Sequence, residues 1–487
     1  MRTDSLTAGI FKCLQHIFFF SSVVLFLIGH ILLNNDILLV SLFLLSISSI
    51  IYSIFNFKGR FLILFFQIAC IFFLYGRNII KLFYGEPYGL LFSYEINQLI
   101  ISLIYVAVFF ILFGAYVAEN FKKNSYNITN YKLNERSKSE YVKNLKIVSF
   151  SFYLITIFCT FLVEIEQFFI FKDLDYAAMY THYESSLPSF VLSISALSKF
   201  FLCLFLSTFP KKFIATITLV LYVLSTAPVF ILGQRNSFIS AVLFSVCYYI
   251  LRDIFRKDNE KKWFGKFETT AIIVAIPLGL AFLSIYEAIR LNEPITNVNI
   301  FKSIENLFRS QGVTYDVIGK GLVYQDVLPK GNINYTFGQL IEYFKSNSIS
   351  QFLFNTKSFP TQTYESAMFG NNLADSLGYL DLGAEYFNGA GLGSSFIIEN
   401  YIDFGIGGVG VFSAFIGFML RKIPQIFNKN LFFSYISLII ILQIFMLPRA
   451  SSTTWAKLLF YIPMLLVCVF VYILTSLLIK KYYFEKR

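Results

Sequence analysis

Three arginines lie beside apolar stretches of the chain, where a charged side chain needs a partner. Arg235 occurs in the sequence GQRNS between two apolar runs, Arg290 follows another run, and Arg449 occurs in the sequence PRASS. A guanidinium group presents a planar fork of donors that suits phosphate oxygens, and a charge beside the bilayer is costly unless it is paired. These arginines predict a site for a lipid-linked pyrophosphate. The structural alternative is that they only extend to lipid headgroups.

Carboxylates at the same membrane level could accept a proton from a substrate hydroxyl group. Glu399 and Asp403 are four residues apart, so they share one helix face, and burial there would favour general base catalysis. Glu385, next to Tyr386, is the alternative base, and we expect Tyr386 and Asp403 to contact substrate. Ion pairing with the arginines is the structural alternative. The other carboxylates expected at this level are Glu164, Glu166, Glu287, Asp375 and Asp381.

The glycines between 383 and 410 have two expected roles. Gly391 and Gly393 precede an apolar run and would let the backbone approach a ligand, with the amides of the helix N-terminus available for an anion. Within that run, small residues recur at a spacing of four, which permits close packing of helices in lipid. These packing residues are Gly410, Ala414, Ser413 and Gly417.

The elements that must position these residues are membrane helices. Of 487 residues, 56% are hydrophobic and only 14% are charged, and the mean hydropathy is +0.65. Since a bilayer core needs about 20 apolar residues per helix, the sequence predicts an all-α polytopic membrane protein with about 12 transmembrane helices. The predicted spans are 16–34, 37–56, 61–76, 98–117, 147–163, 190–209, 213–232, 237–251, 269–287, 396–419, 431–447 and 457–479.

The distribution of basic residues predicts the orientation. With the N-terminus inside, the cytoplasmic connections contain 26 Lys and Arg, whereas the short outer connections contain five. This asymmetry fits the positive-inside rule, so both termini are expected to be cytoplasmic and the three arginines to face outward. The net charge of +11 resides largely in these short loops and therefore does not indicate a nucleic-acid partner.

One long connection, 288–395, is the exception among short loops. It carries seven basic and nine acidic side chains and thus no cytoplasmic signature, so we expect it to face outward. Apolar spacing in 301–312 and 337–344 predicts short amphipathic helices that lie on the membrane or cap a cavity. The chain is accordingly divided into helices one to nine (1–287), the outer loop, and helices ten to twelve (396–487).

Several kinds of chemistry are not indicated. The chain has three histidines and no HExxH, Cys-x-x-Cys or P-loop pattern, so neither a metal site nor a nucleotide or other cofactor is expected. No internal repeat is visible, although transporters built from two halves often show one. This absence counts modestly against a transporter.

The segments around Arg235, Glu399 and Arg449 resemble the bacterial oligosaccharide repeat unit polymerases of O-antigen assembly, the Wzy type. The sequences GQRNSF, GAGLGSSFIIENYIDFGIGG and PRASS carry the likeness, which covers roughly 213–460. Members of that family are polytopic and have a large outward loop in the second half. The resemblance implies transfer of a growing glycan from its undecaprenyl pyrophosphate carrier to the terminal sugar of a lipid-linked repeat unit, which builds O-antigen or capsular polysaccharide. It places this reaction at the outer face of the bacterial cytoplasmic (inner) membrane, without metal or nucleotide.

Within this interpretation the arginines and carboxylates receive roles. The Gly-x-Arg pattern of the family carries over to Arg235, which with Arg290 would stabilise leaving-group charge, while Glu399 or Glu385 would accept the proton. The expected partners are undecaprenyl-pyrophosphate-linked oligosaccharides, the lipid bilayer and, as a candidate, a polysaccharide chain-length regulator.

Two alternatives remain at the level of the sequence. O-antigen ligase resembles the polymerase in its helices and outer loop, but it is thought to use a loop histidine, and 288–395 contains none. A lipid-linked oligosaccharide flippase or another transporter would not need so large an outer loop.

Overall fold

The computed structural model describes residues 2–121, 140–172, 185–232, 234–256, 260–266, 268, 270, 300–331 and 333–485. Across these residues the regular structure is helical and no β-strand occurs, as the sequence predicts. The helices up to residue 254 are α1 (Arg2–Ile31), α2 (Asn35–Phe55), α3 (Phe57–Cys70), α4 (Gly76–Phe83), α5 (Tyr94–Asn120), α6 (Glu140–Phe171), α7 (Ser189–Ser195), α8 (Ser198–Ser207), α9 (Lys212–Ser225), α10 (Ala227–Ile231) and α11 (Arg235–Ile254).

The remaining helices include most of the predicted outer loop and the last spans. They are α12 (Ile300–Gln311), α13 (Thr314–Val323), α14 (Gly338–Lys345), α15 (Ser348–Phe354), α16 (Tyr364–Phe369), α17 (Leu373–Leu382), α18 (Ala384–Phe387), α19 (Phe396–Ile426), α20 (Leu431–Ile441), α21 (Thr454–Lys457) and α22 (Ile462–Glu485). A π-helical turn, Ile71–Tyr75, joins α3 to α4, and a 3-10 helix, Ile444–Arg449, follows α20.

Ten helical segments of the described residues are long and apolar enough to cross a membrane, and each corresponds to a predicted span. They are Gly9–Ile31, Asn35–Phe55, Phe57–Phe83, Tyr94–Asn120, Glu140–Phe171, Ser189–Ser207, Lys212–Ile231, Arg235–Ile254, Phe396–Ile426 and Leu431–Arg449. The predicted span 457–479 coincides with α22, whose apolar part is Leu466–Leu477. The predicted span 269–287 lies outside the described residues, so the full count of helices stays a prediction.

The centre of the helical assembly is the crossing of α5 and α19. A Cβ atom placed on Gly114 would lie 1.9 Å from the Ala414 carbonyl oxygen, and one placed on Gly417 would lie 1.9 Å from the Ile111 carbonyl oxygen. The two backbones therefore touch where the side chains are small, which is how helices associate closely in lipid. The packing role predicted for Ala414 and Gly417 is confirmed.

A cluster of paired charges joins four helices at the end that the sequence predicts to be cytoplasmic. Arg60 of α3 donates to both carboxylate oxygens of Glu119 in α5, at 2.9 and 2.7 Å. Tyr52 of α2 donates to the same carboxylate at 2.8 Å, and Arg421 of α19 lies 3.6 Å from it. We call these four residues the paired cluster; its charges serve to hold helix ends together.

Ion pairs attach the predicted outer loop to the other end of the helices. Arg77 of α4 donates to Asp316 of α13 at 2.6 Å, and Arg309 of α12 pairs with Glu86 at 2.6 Å. The hydrogen bond from Arg309 lowers the pKa of Glu86 below its usual value. The amphipathic helices predicted at 301–312 and 337–344 are present as α12 and α14. The described part of the predicted outer loop is thus a folded helical layer fixed to the membrane helices.

Candidate active site

The glycine-rich segment before α19 is tied to the segment that follows the 3-10 helix. Ser394 Oγ donates to Glu399 Oε1 and the Ser452 amide donates to Glu399 Oε2, both at 2.7 Å. Ser395 caps α19 and its hydroxyl also donates to the Pro448 carbonyl oxygen at 2.9 Å. Glu399 is fully buried. Both of its carboxylate oxygens are therefore used to hold two backbone segments together.

Asp403 is bound to the outer loop one helical turn further along α19. Its Oδ2 atom accepts a hydrogen bond from the Thr336 amide at 2.6 Å, and Thr336 Oγ1 donates to the Glu399 carbonyl oxygen at 3.3 Å. The Thr453 hydroxyl donates to the Thr336 carbonyl oxygen at 3.3 Å. We call the site formed by Ser394, Glu399, Asp403, Thr336, Ser452 and Thr453 the outer junction, because it joins α19, the outer loop and the 448–454 segment.

Glu385 and Tyr386 lie in the short helix α18 before the glycine-rich segment. Glu385 is exposed, whereas Tyr386 is buried and its hydroxyl donates to the Thr363 carbonyl oxygen at 3.4 Å. Burial raises the pKa of the Tyr386 phenol above its usual value, so the phenol stays neutral at physiological pH. Gly391 and Gly393 are exposed, and Gly393 has a φ of +77°, which side-chain-bearing residues rarely adopt.

A polar cavity of about 190 Å³ lies next to the outer junction. One wall is the first turns of α11, which contribute Asn236, Ser237 and Ser240. Another part of the wall comes from the chain between Leu442 and Trp455, which includes the turn after α20, the 3-10 helix and the segment after it. The sequences GQRNS and PRASS, more than 200 residues apart in the chain, therefore border one cavity.

Both described arginines of the prediction are adjacent in the chain to residues that line this polar cavity. Arg235 is the first residue of α11, and Arg449 is the last residue of the 3-10 helix. The residue that follows each of them in the chain, Asn236 or Ala450, lines the cavity. Arg449 Nη1 also donates to Gln311 Oε1 at 2.6 Å, which connects this segment to the outer loop. Arg290 lies outside the described residues.

Lys199 is a lining residue of the polar cavity that the sequence analysis missed. It stands near the middle of the span Ser189–Ser207 and is exposed because it faces the cavity. The signal was available, since Lys199 is the only charged residue of the predicted span 190–209. An ionisable residue inside a membrane span is by default a functional candidate.

The other predicted residues are placed differently. Glu385, Tyr386, Gly391, Gly393, Glu399 and Asp403 are not among the described residues that line the cavity. Of these, Glu399 and Asp403 belong to the adjoining outer junction. Within the described part of the chain, no group of three His, Cys, Asp or Glu side chains is close enough to hold a metal ion.

A sequence model of the family described as O-antigen polysaccharide polymerase Wzy matches residues 14–482. The chain belongs to this family. It is therefore a multi-pass membrane polymerase that joins O-antigen repeat units, and the ligase and flippase alternatives raised by the sequence are set aside. Comparison with curated proteins and with solved structures finds no match.

Membership in the Wzy polymerase family gives the geometry a context. The match extends beyond the roughly 213–460 region that carries the resemblance and includes the N-terminal helices. Lys199, which lines the polar cavity, lies in this additional part of the match, before residue 213. The cavity is thus built from two separate parts of the matched sequence, residues 199–240 and residues 442–455.

Proposed function

We propose that this polymerase transfers a growing glycan from undecaprenyl pyrophosphate to the terminal sugar of a second lipid-linked repeat unit, at the outer face of the bacterial cytoplasmic membrane. The observation that carries the proposal is the convergence of two predicted arginine segments and the glycine-rich segment around one polar cavity and its outer junction. The reaction requires a site for an anionic leaving group beside a site for a sugar hydroxyl group. These two adjoining sites meet that requirement.

In the proposed reaction the bond between the anomeric carbon of the donor glycan and the pyrophosphate oxygen breaks. The acceptor hydroxyl oxygen forms the new glycosidic bond, its proton passes to a carboxylate, and the pyrophosphate leaves with the electron pair of the broken bond. Arg235, with Arg290 and Arg449, stabilises the charge that develops on this leaving group. Neither a metal nor a nucleotide is required by this scheme.

The carboxylates divide according to their surroundings. Glu385 is exposed and accessible to an acceptor sugar, so we assign it the role of general base. Glu399 already accepts two hydrogen bonds and is fully buried, so we assign it a positioning role. Asp403, Gly391 and Gly393 belong to the surface along which the acceptor glycan lies, whereas Tyr386, which the sequence predicts to contact substrate, is buried beneath that surface.

The helical layer formed by the outer loop would hold the two sugar chains near the bilayer. Its ion pairs, Arg77 with Asp316 and Arg309 with Glu86, keep this layer attached to α4 and the segment that follows it. The partners in this scheme are the two lipid-linked oligosaccharides and the bilayer, and a chain-length regulator is a candidate for contact with the loop.

The polysaccharide ladder on a gel tests the proposal, in cells that lack this gene and are complemented at matched membrane abundance. Wild-type protein should restore the ladder, Arg235→Ala should leave the lipid core capped by single repeat units, and Arg235→Lys should restore it poorly because the bidentate fork is lost. Lys211→Ala, which removes an exposed charge at the far end of the span Lys212–Ile231, is the control and should restore the ladder. Complete loss of capped core in the deletion strain, or full restoration by Arg235→Ala, would contradict the proposal.

A further inference from the structure

Three membrane spans are interrupted at the polar cavity. The span Ser189–Ser207 breaks between α7 and α8, the span Lys212–Ile231 breaks at Thr226, and the span Leu431–Arg449 breaks at Leu442 and Gln443. Thr226, Leu442 and Gln443 line the cavity, and so does Lys199, which is the second residue after the first break. Non-helical backbone at membrane depth is tolerated where it is buried in protein or lines a cavity, and discontinuous membrane helices commonly form binding sites.

Side chains satisfy the backbone groups that two of these breaks release. Thr160 Oγ1 donates to the Ser195 carbonyl oxygen at 3.3 Å, at the end of α7. Thr226 Oγ1 donates to the Val223 carbonyl oxygen at 2.7 Å, at the end of α9, and the Thr226 amide donates to the same oxygen at 3.1 Å. Because a carbonyl group without a partner is costly in the bilayer core, these bonds stabilise the interrupted helices in this form.

Lys199 brings a positive charge into the cavity. In the part of the chain that the structure describes, its ammonium group forms no hydrogen bond or ion pair and interacts electrostatically with the Glu164 carboxylate. A lysine placed this way is more costly than the arginines at the membrane surface. An anionic ligand in the cavity would offset that cost.

The other polar lining groups include several that can donate hydrogen bonds. The first turns of α11, a helix of 20 residues, contribute Asn236, Ser237 and Ser240, and its first backbone amides have no partners within the helix. Trp455 Nε1 is a buried donor of a lining residue without a hydrogen-bond partner among the described residues, whereas Gln443 Oε1, also without such a partner, can only accept. No carboxylate is among the described residues that line the cavity.

The size of the cavity limits what can enter. A volume of about 190 Å³ is below the roughly 300–1,000 Å³ of sites for drug-sized ligands and holds roughly six water molecules. A phosphate or pyrophosphate group fits within this volume, whereas an oligosaccharide of several sugars would extend beyond it. Leu442, Met446 and Leu447 give the wall an apolar part that is compatible with the start of a lipid chain.

We propose that the polar cavity binds a phosphate or pyrophosphate group and that Lys199 is its charge partner. This inference rests on the proposed function, in which the carrier pyrophosphate is the leaving group, and it adds a binding residue at membrane depth to the arginines already assigned to that group. Lys199 reaches the group from the interrupted α7–α8 span, while the first turns of α11 donate to it from their part of the cavity wall.

The test is ligand-dependent thermal unfolding of the purified full-length protein in detergent. The probes are inorganic pyrophosphate, farnesyl pyrophosphate, and farnesol as the control without phosphate. Pyrophosphate-containing probes should raise the unfolding temperature of wild-type protein, and farnesol should not. Lys199→Met should weaken the apparent affinity about tenfold to one hundredfold, the range for loss of a hydrogen bond to a charged group, and Lys199→Arg should retain most of it.

Two further variants separate ligand binding from a structural role of Lys199. If Lys199 served only to neutralise Glu164, then Glu164→Gln would weaken pyrophosphate binding as Lys199→Met does. The proposal instead expects Glu164→Gln to bind pyrophosphate equally well or more tightly, because a negative charge near the anion is removed. Lys457→Met is the matched control, since Lys457 does not line the cavity.

Two results would overturn the inference: equal affinity in Lys199→Met and wild-type protein, or no response to either pyrophosphate. If farnesyl pyrophosphate alone stabilises the protein, the natural ligand is a lipid-linked pyrophosphate. If inorganic pyrophosphate stabilises it equally, the ligand is a soluble anion. Both results support an anion site. Binding is measured without polymerisation, so a failed ladder experiment would leave this result intact.

Discussion

The paired cluster and the polar cavity are two charged regions of the same helical assembly, and they are built in opposite ways. In the paired cluster, Arg60 and Arg421 share the Glu119 carboxylate, and the side chain of Arg60 is only 9% exposed. In the polar cavity, Lys199 is exposed to open space and forms no ion pair within the described residues. In the paired cluster, ion pairs neutralise the charges. In the polar cavity, by contrast, the charge of Lys199 stays available to a ligand.

Location alone does not separate the two kinds of region. Glu399 lies next to the polar cavity, yet both of its oxygens are occupied as completely as those of Glu119. The comparison therefore teaches that the partners of a buried charge, more than its distance from a cavity, indicate whether it serves the fold or the reaction. Buried ion pairs are costly to break because one charge is left without compensation.

The largest effect is expected from Glu119→Ala. This substitution leaves Arg60 and Arg421 without their shared carboxylate and should lower the free energy of unfolding by about 3 kcal/mol, at the low end for buried pairs because Glu119 is partly exposed. Thermal and denaturant unfolding in detergent would measure it. Asp326→Ala, which removes an exposed carboxylate of the outer loop, is the control. A loss no greater than that of the control would show that the cluster does not stabilise the fold.

Substitutions of Glu399 test whether the hydrogen-bond partners of a buried carboxylate, or its distance from the cavity, determine its role. Glu399→Ala should cost about 2 kcal/mol of stability, because the Ser452 amide and the Ser394 hydroxyl lose their acceptor, and should abolish the polysaccharide ladder. Glu399→Gln can still accept from Ser452 and donate to Ser394, so it should retain a measurable ladder. If Glu399→Gln is stable but as inactive as Glu399→Ala, then Glu399 is the proton acceptor and the positioning role is wrong.

Giving Lys199 a carboxylate partner would convert the cavity into a paired region. Ser240→Asp places that carboxylate on the cavity wall, where it should keep or raise the unfolding temperature while lowering polymer synthesis about tenfold, a change of roughly 1.4 kcal/mol. Ser240→Asn has nearly the same shape without the charge and should lose much less activity. Equal activity of the two variants would argue against an anion in the cavity.

The smallest effect concerns stability after removal of the charge. Lys199→Met should change the free energy of unfolding by less than about 1 kcal/mol, because Lys199 is exposed to the cavity and forms no ion pair within the described residues, and an exposed charge contributes little to stability. Unfolding without ligand provides the measurement. If Lys199→Met lowered the free energy of unfolding as much as Glu119→Ala does, Lys199 would have a structural role. The polar cavity and the paired cluster would then not differ in this respect.

The fold was largely predictable because membrane helices are encoded by long apolar runs. Ten predicted spans recur as membrane-length helices, and the amphipathic spacing of 301–312 and 337–344 located α12 and α14. Each of these signals is local in the sequence. Arg235 and Arg449 could be singled out for the same reason, since an arginine beside an apolar run is conspicuous.

The cavity could not be predicted, because it depends on how breaks in separate helices meet. Thr226 and Gln443 interrupt their spans without any strong sequence signal, and only Pro228, near the start of α10, marks one of the breaks. One of the two hydrogen bonds that Glu399 accepts comes from the amide of Ser452, which is 53 residues away in the chain. Burial and partners at that distance are decided by tertiary packing, not by local composition.

The break at Gly405 inside α19 has a consequence for mutational tolerance. Gly405 has φ 63° and ψ −163°, a region that is essentially restricted to glycine, so any side chain there strains the backbone, at a cost of order 1–3 kcal/mol. Gly407, two residues later, has open space around its Cβ position and no such backbone requirement. Two glycines that look alike in the sequence thus differ in evolutionary freedom: variation can accumulate at 407, whereas selection for an intact α19 keeps 405 as glycine.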